Sequence, residues 1–315
     1  MDHSGHGMMT DLPPFTLGRG LAWSADPFFL VACLLGLALY GWGVLRLTRR
    51  GDKWPVGRTV SFGVGVLSVA LMMCTRLNDY GMVMFSVHMV QHMIISMVSP
   101  ILLLLGAPIT LALRALPPAG RGRRGPRELL LMLLHSRYMR IITHPAFTIP
   151  LFIASLYALY FTPLFDFLMG SSAGHIAMMV HFLAVGVVFF WPIMGVDPGP
   201  HRPGYLMRML ELFAGMPFHA FFGIALMMAS APMVGTFENP PASLGIDALS
   251  DQNAAGGIAW AFSEVPSVLV LLALLFQWYA SEERRARRSD RAAERDGDRE
   301  LAEYNAYLAS LNARG

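Results

Sequence analysis

Residues 82–105 read MVMFSVHMVQHMIISMVSPILLLL, without a single Asp, Glu, Lys or Arg. At about 1.5 Å of rise per residue, a helix of this length crosses the roughly 30 Å hydrocarbon core of a bilayer. The same stretch carries His88 and His92, four residues apart and so on one helix face. Ionisable groups are costly at that depth, and where they occur they face the interior of a bundle and pair or bind something.

Outward from this stretch, six more apolar segments have comparable length, at roughly 26–46, 59–75, 146–165, 175–194, 206–230 and 257–279. The second begins TVSFGVGVLSVALMM and the last contains VPSVLVLLALLFQWYA. Composition agrees. Of 315 residues, 55% are hydrophobic and 14% charged, against about 25% charged in a soluble domain. The pattern predicts an all-α polytopic membrane protein, a seven-transmembrane-helix bundle. Cys33 and Cys74 fall inside or beside apolar segments and make no disulfide framework. No basic region precedes a short apolar core at the start, so no cleavable signal peptide is expected.

Orientation follows from the connecting segments, because Lys and Arg accumulate on the cytoplasmic side. With seven alternating spans, one side collects Arg46, Arg49, Arg50, Lys53 and Arg58, then seven arginines between 114 and 140, then Arg202 and Arg208, and eight more in the tail. The other side has Arg19 and Arg76. The N-terminus is therefore expected outside and the C-terminus in the cytoplasm of a bacterial cell. The organisation expected is an extracytoplasmic His/Met-containing segment over 1–25, a membrane domain over 26–280 and a charged helical tail over 281–315. ELLLMLLHSRYMRII at 128–142 is too short to span and is expected as an interfacial helix. The basic excess is topological, which excludes a nucleic-acid partner.

This topology sets depths. His88 and His92 fall about 9 and 15 Å below the outer surface, His181 about 9 Å, His219 about 16 Å and Glu264 about 10 Å. Cys74 sits at the outer end of the second span. These groups form one layer, among methionines such as Met84, Met89, Met93, Met178 and Met216. Imidazole with thioether or thiolate selects copper, zinc or iron over magnesium or calcium. Taken singly, an intramembrane His is more often a hydrogen-bonded helix contact, and a Met at helical spacing is more often filler. Glu211 is expected to pair with a nearby arginine. The N-terminus reads MDHSGHGMM. A free amine with His3 at the third position can hold Cu(II) in a square plane, and His6 with Met8 and Met9 suits Cu(I).

Three segments carry a resemblance: HMVQHMIISMVSPILLLLGAP at 88–108, HFLAVGVVFFWPIMGVDPGPHR at 181–202 and MPFHAFFGIALM at 216–227. They resemble the multi-span CtaG family of cytochrome c oxidase assembly factors, over roughly residues 25–280, with an actinobacterial-like, Arg-rich composition. The resemblance implies a non-enzymatic membrane factor that helps copper reach a haem–copper oxidase. Its partners would be oxidase subunits or a copper donor protein. The family's intramembrane histidines correspond to His88, His92, His181 and His219. Asp197, in GVDP, reads as a cap or turn residue. Three other readings stay open on the residues alone: a membrane b-type cytochrome, a copper permease, and an intramembrane zinc hydrolase with Glu264 or Asp79 as base.

Overall fold

The computed structural model describes residues 12–120, 123–200, 203–296 and 299–313. The chain is 78% helical, with no strand among the described residues. Its principal helices are α1 (Pro27–Arg49), α2 (Val56–Met73), α3 (Phe85–Met93), α4 (Ser99–Leu105), α5 (Pro108–Ala115), α6 (Pro145–Tyr160), α7 (Ser172–Met194), α8 (Tyr205–Met228) and α9 (Ala248–Asp296). A π-helical turn, Ile94–Val98, joins α3 to α4. The chain divides into two compact units, Met1–Val268 and Leu269–Gly315.

Among the described residues, six helical runs are long and apolar enough to cross a membrane: α1, α2, Phe85–Ala115, α7, α8 and α9. The fourth expected span is α6, apolar but only 16 residues long, about 24 Å at helical rise. It stops at Tyr160 because Pro163 follows Thr162, and a residue before proline is pushed out of the α region. The expected single helix at 128–142 is two, Pro126–Leu134 and Arg137–Ile142. Ser136 breaks it: its backbone is extended and its hydroxyl accepts from the Met139 N–H. At the start of the first of these, the Ala119 and Gly125 N–H groups hold the Glu128 carboxyl below its usual range. In the second unit, exposed pairs Arg285–Glu282 and Arg287–Glu283 line the charged end of α9, and Arg299–Asn312 is the helix expected for the tail.

In the first unit α7 is central, in contact with the π turn, α4, α6 and α8. Its approach to the π turn needs Gly186, where a Cβ would lie 2.1 Å from the Ser96 carbonyl oxygen. Crossings this close are how helices gain contact in lipid, where no hydrophobic force drives them together. Distant carboxylates fix where helices begin. Asp251 accepts from the Phe85 and Ser86 N–H groups at 2.6 and 3.3 Å and so starts α3. Asp197 accepts from the Ile109 and Thr110 N–H groups and the Thr110 hydroxyl, and so starts α5. Asp197 is thus the cap its setting before Pro198 suggested, although it caps another helix. Among the described residues Glu211 pairs with no arginine; it accepts from the Thr148 hydroxyl at 2.7 Å. Arg208, one turn away, donates instead to the carbonyls of Ile193 and Met194 at the end of α7, where the helix dipole is negative.

Candidate metal centre

Helix α3 brings His88 and His92 to the interior, and both are buried, at 0% and 3% exposed. Helix α7 contributes His175 and α8 contributes His219, at 4% and 3%. The four rings fall into two pairs. His88 and His175 have ring centres 6.4 Å apart, and His92 and His219 have theirs 6.3 Å apart. The pairs lie one helical turn apart, as the i, i+4 spacing of His88 and His92 requires.

Most of the ring nitrogens are unmatched. His88 Nε2 shares a 3.0 Å hydrogen bond with the Tyr160 hydroxyl. His88 Nδ1, both nitrogens of His92, His175 Nε2 and His219 Nε2 have no hydrogen-bond partner. The other side of the His219 ring is held by the Gly215 backbone, one turn back. A buried polar atom left unpaired costs about 1–3 kcal/mol, so five such nitrogens on four neighbouring rings need a use. Two cavities of about 10 Å³ touch His219, each near the minimum that holds a single water. One is lined by His92, Ser96, Ser155 and Phe182, the other by Met97, Met216, Ser263 and Ser267. Imidazole, thioether and hydroxyl therefore converge on spaces of single-ion size.

The π turn starts two residues after His92. Such a turn inserts one residue and upsets the backbone ladder. Here the Ser96 hydroxyl donates to the His92 carbonyl at 2.7 Å. The turn keeps His92 and Met97 both facing the interior, which a regular helix does poorly for residues five apart.

The remaining expected site residues fall elsewhere. His181 is exposed on the side of α7 and its Nε2 pairs with the Ser155 hydroxyl at 2.9 Å. The residue beside it, Phe182, meets the His92 ring edge-on at 4.1 Å. Glu264 is half-buried and lines neither His219 cavity, because Ser263 and Ser267 hold the inward positions of α9. Cys74 is a free, buried thiol at the end of α2. His3 and His6 lie outside the described residues. Asp79, in the short helix Leu77–Gly81 before α3, accepts from the Ser24 hydroxyl at 2.9 Å, and burial pushes its carboxyl above the usual range. Among the described residues, no three His, Cys, Asp or Glu side chains converge as a ready three-ligand set.

Sequence reasoning passed over His175, Tyr160 and Met97. The first could have been found. His88 is the fourth residue of α3 and His175 the fourth of α7, which gives parallel helices a His at one level. The inward stripe of α7 is His175, Met178, Met179, Phe182, Val185 and Gly186, and position 181 lies off it.

The model of the cytochrome c oxidase caa3 assembly factor family matches residues 38–281. Uncharacterized proteins of Mycobacterium bovis and Mycobacterium tuberculosis are each 45% identical to the chain over 309 residues, covering 96% of it and 46% of each relative. One of Mycobacterium leprae is 44% identical over 306 residues, covering 95% of the chain and 46% of its own length. The chain thus spans about half the length of the curated relatives it matches. No solved structure matches it. With most of its length under the family's model and its three motif segments inside those bounds, the chain belongs to the cytochrome c oxidase caa3 assembly factor family.

Proposed function

We propose that the chain is a seven-span membrane factor that handles copper for a haem–copper oxidase, on histidines buried within the bundle. The observation that carries this is the His92–His219 pair, buried, with unpaired nitrogens, lining one ion-sized cavity. Two imidazoles on one small cavity are a low-coordinate donor set that suits Cu(I), and the thioethers of Met97 and Met216 line the second cavity on His219. Zinc catalysis asks for three protein ligands and an open position for water, and three His, Cys, Asp or Glu groups do not converge among the described residues. This favours transfer or storage of copper over hydrolysis. Family membership supports the destination, an oxidase under assembly. Its subunits, or a protein that donates copper, are the partners in this reading.

The test is copper content of the detergent-purified protein, wild type against His92→Leu/His219→Leu. Loss of copper in the variant supports the site, and equal copper in both rejects it. A deletion strain that still assembles a fully active oxidase rejects the role.

A further inference from the structure

We propose that His88 and His175 form a second site for a soft monovalent ion, one helical turn from the His92–His219 pair, so that the chain holds two ions in series. This rests on the copper reading above, and the experiment separates the two.

The geometry is that of a two-ligand site. Imidazole–metal bonds of about 2 Å put two rings sharing one ion about 5–6.5 Å apart, centre to centre. The His88 and His175 rings are 6.4 Å apart. His175 Nε2 is unpaired, His88 Nδ1 makes no well-formed hydrogen bond although the Gly81 backbone lies near the ring, and both rings are buried. The other nitrogen of His88 is engaged by the Tyr160 hydroxyl. Metal-binding imidazoles are commonly held by such a bond on the second nitrogen, which sets the ring and the tautomer.

The surroundings suit a soft cation. Phe165 and Phe237 lie 5.0 and 5.8 Å from the His88 ring and close the space to water. The Asp26 carboxylate, at the start of α1, lies within electrostatic reach of His175. No thiolate or carboxylate completes a tetrahedral set among the described residues, which disfavours zinc and leaves a linear, two-coordinate ion. The Tyr160 ring is a neighbour of both pairs, 6.1 Å from His88 and 5.8 Å from His92. No three His, Cys, Asp or Glu side chains among the described residues converge on one ion, so the four histidines are not one four-ligand site.

The experiment loads the full-length, detergent-purified protein with Cu(I) under anaerobic, reducing conditions and counts bound copper per chain. Read as differences between variants, ions held elsewhere, such as at the N-terminal His/Met segment, cancel. His175→Leu is expected to lose one copper, His219→Leu another, and the double variant both. His175→Met is expected to keep the full count, since a thioether also binds Cu(I). If His175→Leu does not fold, His175→Gln reads the same loss. Wild-type content in the His175 variants, with one ion lost from His219→Leu, overturns the second site and leaves the copper reading intact. Loss of both ions from either single variant overturns the arrangement in series. Unchanged content in all of them overturns the copper reading itself.

Discussion

Tyr160 spends its buried hydroxyl on His88 Nε2 at 3.0 Å. Tyr160→Phe removes that partner and leaves another imidazole nitrogen unpaired. The expected cost is about 1–3 kcal/mol, read as a lower thermal midpoint in detergent. Because His88 then loses the bond that sets its ring, weaker copper retention is expected alongside. His181 is the converse case. It lies on the exposed side of α7 and pairs with Ser155 of α6 rather than joining the buried His92–His219 pair. His181→Ala is expected to leave bound copper unchanged, by the same count used above. A loss of one equivalent would place His181 among the ligands after all. The two residues differ because α7 turns Phe182, not His181, toward α3.

At the scale of elements, the site depends on how closely α7 meets the π turn. Gly186→Ala would drive a Cβ to 2.1 Å from the Ser96 carbonyl oxygen, which is backbone and cannot rotate away. Overpacking of this kind costs about 1–3 kcal/mol. A lower midpoint is expected, with impaired copper binding, since Ser96 lines the His92 cavity. An unaffected variant would mean that the helices separate freely there. The start of α3 was not readable in its own stretch. No Ser, Thr, Asp or Asn precedes Phe85 at the cap position, and Met84 makes no side-chain cap bond. The cap comes from Asp251, far along the chain, and it sets the level of His88. The π turn was equally hidden, since IISMV has nothing in its composition that separates it from regular helix.

For the whole molecule, topology is the matter to test. Under the seven-span reading, 22 of 24 basic residues lie on one side. A reporter fused after residue 315 is expected to be active only in the form that works in the cytoplasm. One fused in the loop between α8 and α9, within residues 229–247, is expected to be active only in the extracytoplasmic form. The opposite pattern would mean an inverted bundle or one span fewer before the loop, as when α6 does not cross, and matching signals at both places would remove α9 as a span. The short α6 is where the count is most exposed, because 16 helical residues fall short of the roughly 20 that a bilayer asks for. Tilt is no remedy for a helix that is too short, so local thinning or burial between neighbours has to accommodate it.

What the sequence by itself determined is the class of protein: apolar runs of bilayer length, the pairing of His88 with His92 by helical period, and the family, through motif segments that need no tertiary contact to be read. Periodicity and hydropathy are local properties, and these follow from them. The tertiary structure decided which histidines meet. His175 joins His88, and His181 turns away, because the rotation of α7 about its axis is set by glycine at the π turn and by the aromatic rings of Tyr160, Phe165 and Phe182. Depth estimates put residues in a common layer; only the facing of each helix decides which rings become neighbours.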